Sequence, residues 1–110
     1  MKHNFNIRQG DTFHEGFWFS EDLTDCNFKM TIISPLSIRK IIELLSNADF
    51  EIFLNPETGN TEVYPIITAE QTAAFHFFTA YYDLQVSLGN DVVTYFTGEI
   101  TLIPDITLGV

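Results

Sequence analysis

The sequence has one cysteine, five basic residues and no long apolar run. Each scarcity removes a class of function. The lone Cys26 permits no internal disulfide, so the chain is not a disulfide-stapled secreted module. Cys26 opens an alternating run and reads as a small buried apolar group rather than a reactive thiol. Lys2, Arg8, Lys29, Arg39 and Lys40 are scattered, and only the last two adjoin. A nucleic-acid interface needs clustered cations to neutralise phosphates, so neither nucleic acid nor an anionic membrane surface is expected as a partner. No stretch approaches the roughly 20 apolar residues of a membrane span, and the first six residues lack the apolar core of a signal peptide. The expectation is a soluble protein made in a reducing cytoplasm.

Catalytic and metal-binding patterns are equally sparse. His3, His14 and His76 have no His or Cys three or four residues away, so the spacing of a zinc site is missing. Glu21, Asp22 and Asp25 cluster without the glycine and the spaced oxygen ligands of a calcium loop. The six glycines are dispersed and build no phosphate cradle. His14 beside Glu15 has the composition of an acid–base pair, but the pair reads better as surface or interface strand residues. No catalytic residue, metal or cofactor is expected.

What is present is hydrophobic alternation and a large aromatic load. The stretch Tyr81–Leu102 reads as one long β-hairpin. Tyr82, Leu84, Val86 and Leu88 alternate with Tyr81, Asp83, Gln85 and Ser87, the period of two of a half-buried strand. Gly89-Asn90-Asp91 supplies residues that tolerate the positive φ of a tight connection. The alternation resumes with Val92, Thr94, Phe96, Gly98, Ile100 and Leu102 on one face and Val93, Tyr95, Thr97 and Glu99 on the other.

Shorter strands precede the hairpin. Residues 2–8 form a first, edge strand with Phe5 and Ile7 inward, and 9–11 a turn. Residues 12–19 place Phe13, Glu15, Phe17 and Phe19 on one face and His14, Gly16 and Trp18 on the other. Gly16 in mid-strand predicts a bulge or a close backbone approach. A polar connection, 20–25, tucks Leu23 inward. Cys26, Phe28, Met30 and Ile32 then alternate until Pro35 stops the strand. Residues 36–47 fit either a helix, through Ile38, Ile41, Ile42 and Leu45, or a short strand, which their β-branched content favours. A strand over 48–54, a turn over 55–60 and a strand over 62–67 follow. Thr68 and Gln71 have the spacing of a capping box, which predicts a helical turn near 68–75 with Ala73, Ala74 and Phe75 over one end of the sheets. Pro104 ends the last strand, and a short extended tail closes the chain. Seven to eight strands with turns about every ten residues predict a single domain spanning 1–110, an all-β, antiparallel, immunoglobulin-like β-sandwich. A small barrel is the alternative.

The order of motifs carries a resemblance. Gln9-Gly10-Asp11-Thr12-Phe13 leads an aromatic strand, followed by Asp22-Leu23-Thr24 in an acidic loop. Asn55-Pro56-Glu57-Thr58-Gly59 and Ile67-Thr68-Ala69-Glu70-Gln71-Thr72-Ala73-Ala74 come next. Tyr82-Asp83-Leu84, Thr97-Gly98-Glu99-Ile100-Thr101-Leu102 and Ile103-Pro104-Asp105-Ile106-Thr107 complete the series. The sequence resembles small immunoglobulin-like β-sandwich proteins of tailed bacteriophages and prophages, and is similar to the N-terminal domain of siphophage upper baseplate proteins. The resemblance covers nearly the whole chain except 36–50, which is richer in isoleucine and leucine. It implies a non-enzymatic virion structural protein of the tail, baseplate or neck, present in several copies among other virion proteins.

The aromatic residues are where such a protein makes contacts. A sandwich this small has limited interior, so some rings must reach the surface, where Trp and Tyr favour interfaces. Trp18 and Tyr95 are the candidates, each opposite its strand's main apolar face, with His14 beside Trp18 and with Ile106 and Leu108 on a tail that can act as a docking strand. The Tyr82 phenol has the position of a tyrosine corner. Two other readings stand beside the structural one. The net charge of −10 suits a phage-encoded inhibitor that mimics DNA, and exposed aromatics suit a carbohydrate-binding sandwich.

Overall fold

The computed structural model describes residues 2–35 and 39–104. Eight strands follow in order: β1 (Phe5–Arg8), β2 (Phe17–Phe19), β3 (Asn27–Ile33), β4 (Lys40–Leu45), β5 (Phe50–Leu54), β6 (Thr61–Pro65), β7 (Thr79–Leu88) and β8 (Asp91–Ile103). A single helical turn, α1 (Ser46–Asp49), joins β4 to β5, and α2 (Ala69–Ala73) precedes β7. No helix among the described residues is long and apolar enough to cross a membrane. The tail from residue 105 onward, with Ile106 and Leu108, lies outside the described residues, as do 36–38. The remainder of the ambiguous 36–47 segment is strand β4 up to Leu45, as its β-branched content predicts.

The hairpin is the spine. β7 and β8 pair antiparallel from Thr79↔Thr101 to Leu88↔Asp91, joined through Gly89 at φ 61° and Asn90. That positive φ suits the twist of a two-residue turn and is free of steric cost only for glycine. Around this pair, hydrogen bonding builds a five-stranded sheet, β1-β8-β7-β3-β4, and the remaining strands form a three-stranded sheet, β2-β6-β5. In immunoglobulin lettering these are A′GFCC′ and BED, so the sandwich has the variable-type order. Every pair is antiparallel except β1–β8, which is parallel. This edge pair departs from the expected all-antiparallel arrangement because the N-terminal strand lies beside the last strand and runs with it. The chain then crosses at Gln9–Asp11 to the other sheet.

The inner faces are filled by rings. Phe5 packs edge-on to Phe13 at 5.5 Å and to Phe17 at 5.2 Å between centroids, and Phe17 lies 6.0 Å from Tyr82. Edge and tilted contacts of this kind add to area burial. They occupy the place between β2 and β7 where immunoglobulin domains of antibodies carry an inter-sheet disulfide. Cys26 is half-buried against this core. The capping box is complete: Thr68 Oγ1 accepts from the Gln71 backbone N–H at 3.2 Å, and the Thr68 N–H donates to Gln71 Oε1 at 2.9 Å. In α2 and just after it, Thr72 and Phe75 are buried, whereas Ala74 is exposed and Ala73 only half-buried. Thr72 locks the crossing between sheets, because its hydroxyl donates to the Asp11 carbonyl at 2.7 Å and accepts from the Gly10 N–H at 3.1 Å.

Further sequence expectations are corrected. Residues 12–19 are not one strand: only Phe17–Phe19 pairs continuously, Phe13 makes an isolated bridge to Ile67, and Glu15 is exposed while Phe13, Phe17 and Phe19 are buried. β8 does not keep one phase. Leu84 pairs with Phe96 but Gln85 pairs with Thr94, so Tyr95 is the extra residue of a bulge and the alternation reverses beyond it. The hairpin end extends past the core, which leaves Leu88, Val92 and Val93 exposed. Finally, the Tyr82 hydroxyl donates to the His3 carbonyl at 2.5 Å. It ties down the N-terminal segment rather than the corner just upstream of its own strand.

Candidate functional site

The outer face of the three-stranded sheet concentrates exposed rings. Strand alternation in β6 buries Thr61, Val63 and Pro65 and turns Glu62 and Tyr64 outward. Register places Trp18 of β2 and Phe53 of β5 on either side of Glu62, and Glu51 beside Tyr64. Trp18 is 66% exposed and Phe53 45%. Phe53 and Tyr64 stack with centroids 5.7 Å apart and planes 17° from parallel. The position across from Tyr64 on the β2 side is taken by Gly16, where a Cβ would stand 2.5 Å from Tyr64 Cε1. Gly16 is therefore the close approach predicted from sequence, and it makes room for the phenol ring. His14 completes the row, with its ring 5.2 Å from that of Tyr64 and Nε2 3.3 Å from Glu51 Oε2.

A carboxylate sits at the centre of these rings. The Tyr64 hydroxyl donates to Glu62 Oε1 at 2.5 Å, and the Asn55 amide donates to Oε2 at 2.9 Å. The Tyr64 bond, then the Asn55 bond, hold the Glu62 carboxyl below the ordinary glutamate range against a partial desolvation, with a smaller contribution from the Trp18 indole. The same bond pushes the Tyr64 phenol up. The arrangement is a flat aromatic surface with a fixed anion in it. Such a surface binds by stacking and by charge.

Of the sequence-predicted contact residues, the structure brings Trp18 and His14 together on this face. Tyr95 is not there. The bulge turns it towards the core side, where its ring meets Phe19 edge-on at 5.2 Å and its hydroxyl donates to Glu21 Oε1 at 3.3 Å. Burial and the Glu21 carboxylate raise its phenol. Ile106 and Leu108 fall outside the described residues. Glu62, Tyr64, Phe53 and Asn55 were missed. The strands that carry Phe53 and Tyr64 were expected, but nothing in a sequence says which two strands lie side by side.

A second apolar region lies at the base of the sandwich. Phe75, His76 and Phe77 line an open cleft of about 440 Å³ with Ile41, Ile42 and Gln71, and Phe78 beside it is 87% exposed. Among the described residues no cluster of three His, Cys, Asp or Glu side chains has the geometry to hold a metal ion.

No family model and no curated protein matches the chain. Among solved structures, one from a photo-crosslinking analysis of multimeric cell-adhesive interactions of VGSC beta subunits is similar, with a TM-score of 0.51 over 93% of this chain and 92% of that one at 12% sequence identity. At that identity the likeness establishes the immunoglobulin-like fold and nothing further.

Proposed function

We propose that this chain is a non-enzymatic assembly module of a bacteriophage virion, an adaptor in the tail, baseplate or neck that works by docking other virion proteins. The observation that carries the docking reading is the exposed Trp18–Phe53–Tyr64 face around Glu62. Exposed aromatics that project from a rigid sheet contribute contact area at low entropic cost. The resemblance of the motif series to siphophage baseplate domains supplies the particle. Made in the host cytoplasm, the protein stays soluble through its −10 charge until it meets its partner, and symmetric particles then place it in several copies.

Mass spectrometry of density-purified particles tests this reading, with peptide stoichiometry measured against the portal protein. The expected result is a fixed stoichiometry, a multiple of three or six. In a Trp18→Ala phage the protein should fall to a small fraction of that occupancy while remaining soluble and folded. Absence of the protein from particles, with abundant protein in the lysate, overturns the virion reading and favours an inhibitor that acts on a host enzyme.

A further inference from the structure

We infer that the partner presents an arginine to this face, laid over the Trp18 indole with its guanidinium on the Glu62 carboxylate. The inference rests on the docking reading above and names the chemistry of the partner. Trp18 and Glu62 are direct cross-strand neighbours, which puts their Cβ atoms roughly 5 Å apart on one face. An ionised carboxylate offers about four acceptor sites. The sheet itself uses one on each oxygen, through Tyr64 and Asn55. A guanidinium fork donates two parallel N–H bonds to the remaining sites, in competition with the weaker Trp18 indole interaction with the same carboxylate. The adjoining indole face attracts the same cation.

Charge points the same way. The chain carries −10, and His14 on this face is engaged with Glu51. The cations that form ion pairs, Arg8, Lys29 and Lys40, belong to the strands of the other sheet. A neutral sugar stacks equally well on an indole, but it leaves Glu62 uncompensated in a desolvated contact, which is costly. Lysine delivers its charge as a point and satisfies only one carboxylate oxygen well.

Trp18 is the only tryptophan, so its fluorescence reports on this site directly. The probes are acetyl-Gly-Arg-Gly-amide, the same tripeptide with citrulline in place of arginine, and maltohexaose. The arginine peptide should change the emission saturably while the citrulline peptide and the saccharide do not. Glu62→Gln should weaken the arginine peptide about tenfold or more, as expected for losing a charge-assisted pair. Asp91→Asn, which makes the same charge change at the hairpin turn, should leave affinity within about twofold of wild type, well under the tenfold that 1.4 kcal/mol represents. Equal response to arginine and citrulline overturns the inference without needing any variant. So does equal weakening by both substitutions, which reduces the effect to net charge, or a response to maltohexaose alone. If Trp18→Ala empties the particle while the arginine peptide ignores Glu62, the arginine is wrong and the docking face stands. If Trp18→Ala keeps full occupancy, the docking reading itself fails.

Discussion

The Tyr82 hydroxyl adds a long-range tie to an N-terminal segment that β8 also holds, through the His3 N–H on the Thr97 carbonyl at 2.8 Å. Tyr82 is almost wholly buried, and burial raises its phenol far above the ordinary value of 10.0. Its hydroxyl donates to the His3 carbonyl, 79 residues away in sequence. Tyr82→Phe keeps the ring packing and deletes that bond, so it should cost about 1 kcal/mol and lower Tm by roughly 4 °C. The loss should appear locally as faster hydrogen exchange in residues 3–7. Sign matters for pH. A folded-state pKa above the unfolded value of 10.0 gives stability that is whole below pH 10 and lost as pH rises beyond it. Alkaline melts should therefore fall more steeply for wild type than for Tyr82→Phe, and parallel curves refute the assignment. The sequence showed that Tyr82 points inward, because its strand alternates cleanly. It did not show where the hydroxyl goes, since that partner lies across the molecule. Tyr95 marks the opposite limit. One extra residue in β8 reverses the side of those beyond it, and no local pattern announces a bulge.

At the level of elements, legibility tracks how local the determining interaction is. The capping box of α2 depends on residues three apart and was readable outright from Thr68 and Gln71. Thr68→Ala should delete the acceptor of the Gln71 backbone N–H while the Thr68 backbone N–H keeps its bond to the Gln71 side chain, at a cost of about 1 kcal/mol. Because α2 carries Thr72, which bonds to Gly10 and Asp11, the damage should spread to the sheet crossing. Protection of the Gly10 amide should fall together with that of Gln71 in hydrogen exchange. A loss confined to residues 68–71 shows that the two are uncoupled. β3 was equally plain, because Phe28, Met30 and Ile32 alternate without interruption. The outer face of β2-β6-β5 was not legible. Trp18, Glu62 and Phe53 lie 44 and 9 residues apart along the chain, and only pairing across two antiparallel registers makes them neighbours. The one-turn helix α1 was likewise unforeseen, since four residues carry no periodicity to read.

The whole molecule is small against its own electrostatic field. Its principal extents are 45 × 31 × 23 Å, while the Debye length is about 30 Å at 0.01 M salt and about 3 Å at 1 M. At low salt nearly every one of its fifteen acidic groups senses the others, and self-repulsion of this kind destabilises a compact state. Attractive pairs counter it only weakly. Lys29 and Lys40 share Glu43, and Arg8 lies 4.0 Å from Asp11, but apart from the half-buried Glu43 these groups are largely exposed, and exposed pairs contribute little. Repulsion summed over ten excess charges outweighs three such pairs, so added salt should stabilise the fold. Melting at pH 7 should move upward between 0.01 and 0.5 M sodium chloride, and a downward shift means the ion pairs dominate. Acid acts through different groups. Hydrogen bonds from Lys40 to Glu43 and from Tyr64 to Glu62 hold both carboxyls below their ordinary 4.5. Their contribution is present above pH 4.5 and is lost as pH falls through their folded values. Mild acidification first relieves repulsion as ordinary carboxylates protonate, and only further acid breaks these pairs. Stability at low salt should therefore pass through a maximum on the acidic side of neutrality, and that maximum should flatten at 0.5 M salt, where there is little repulsion left to relieve.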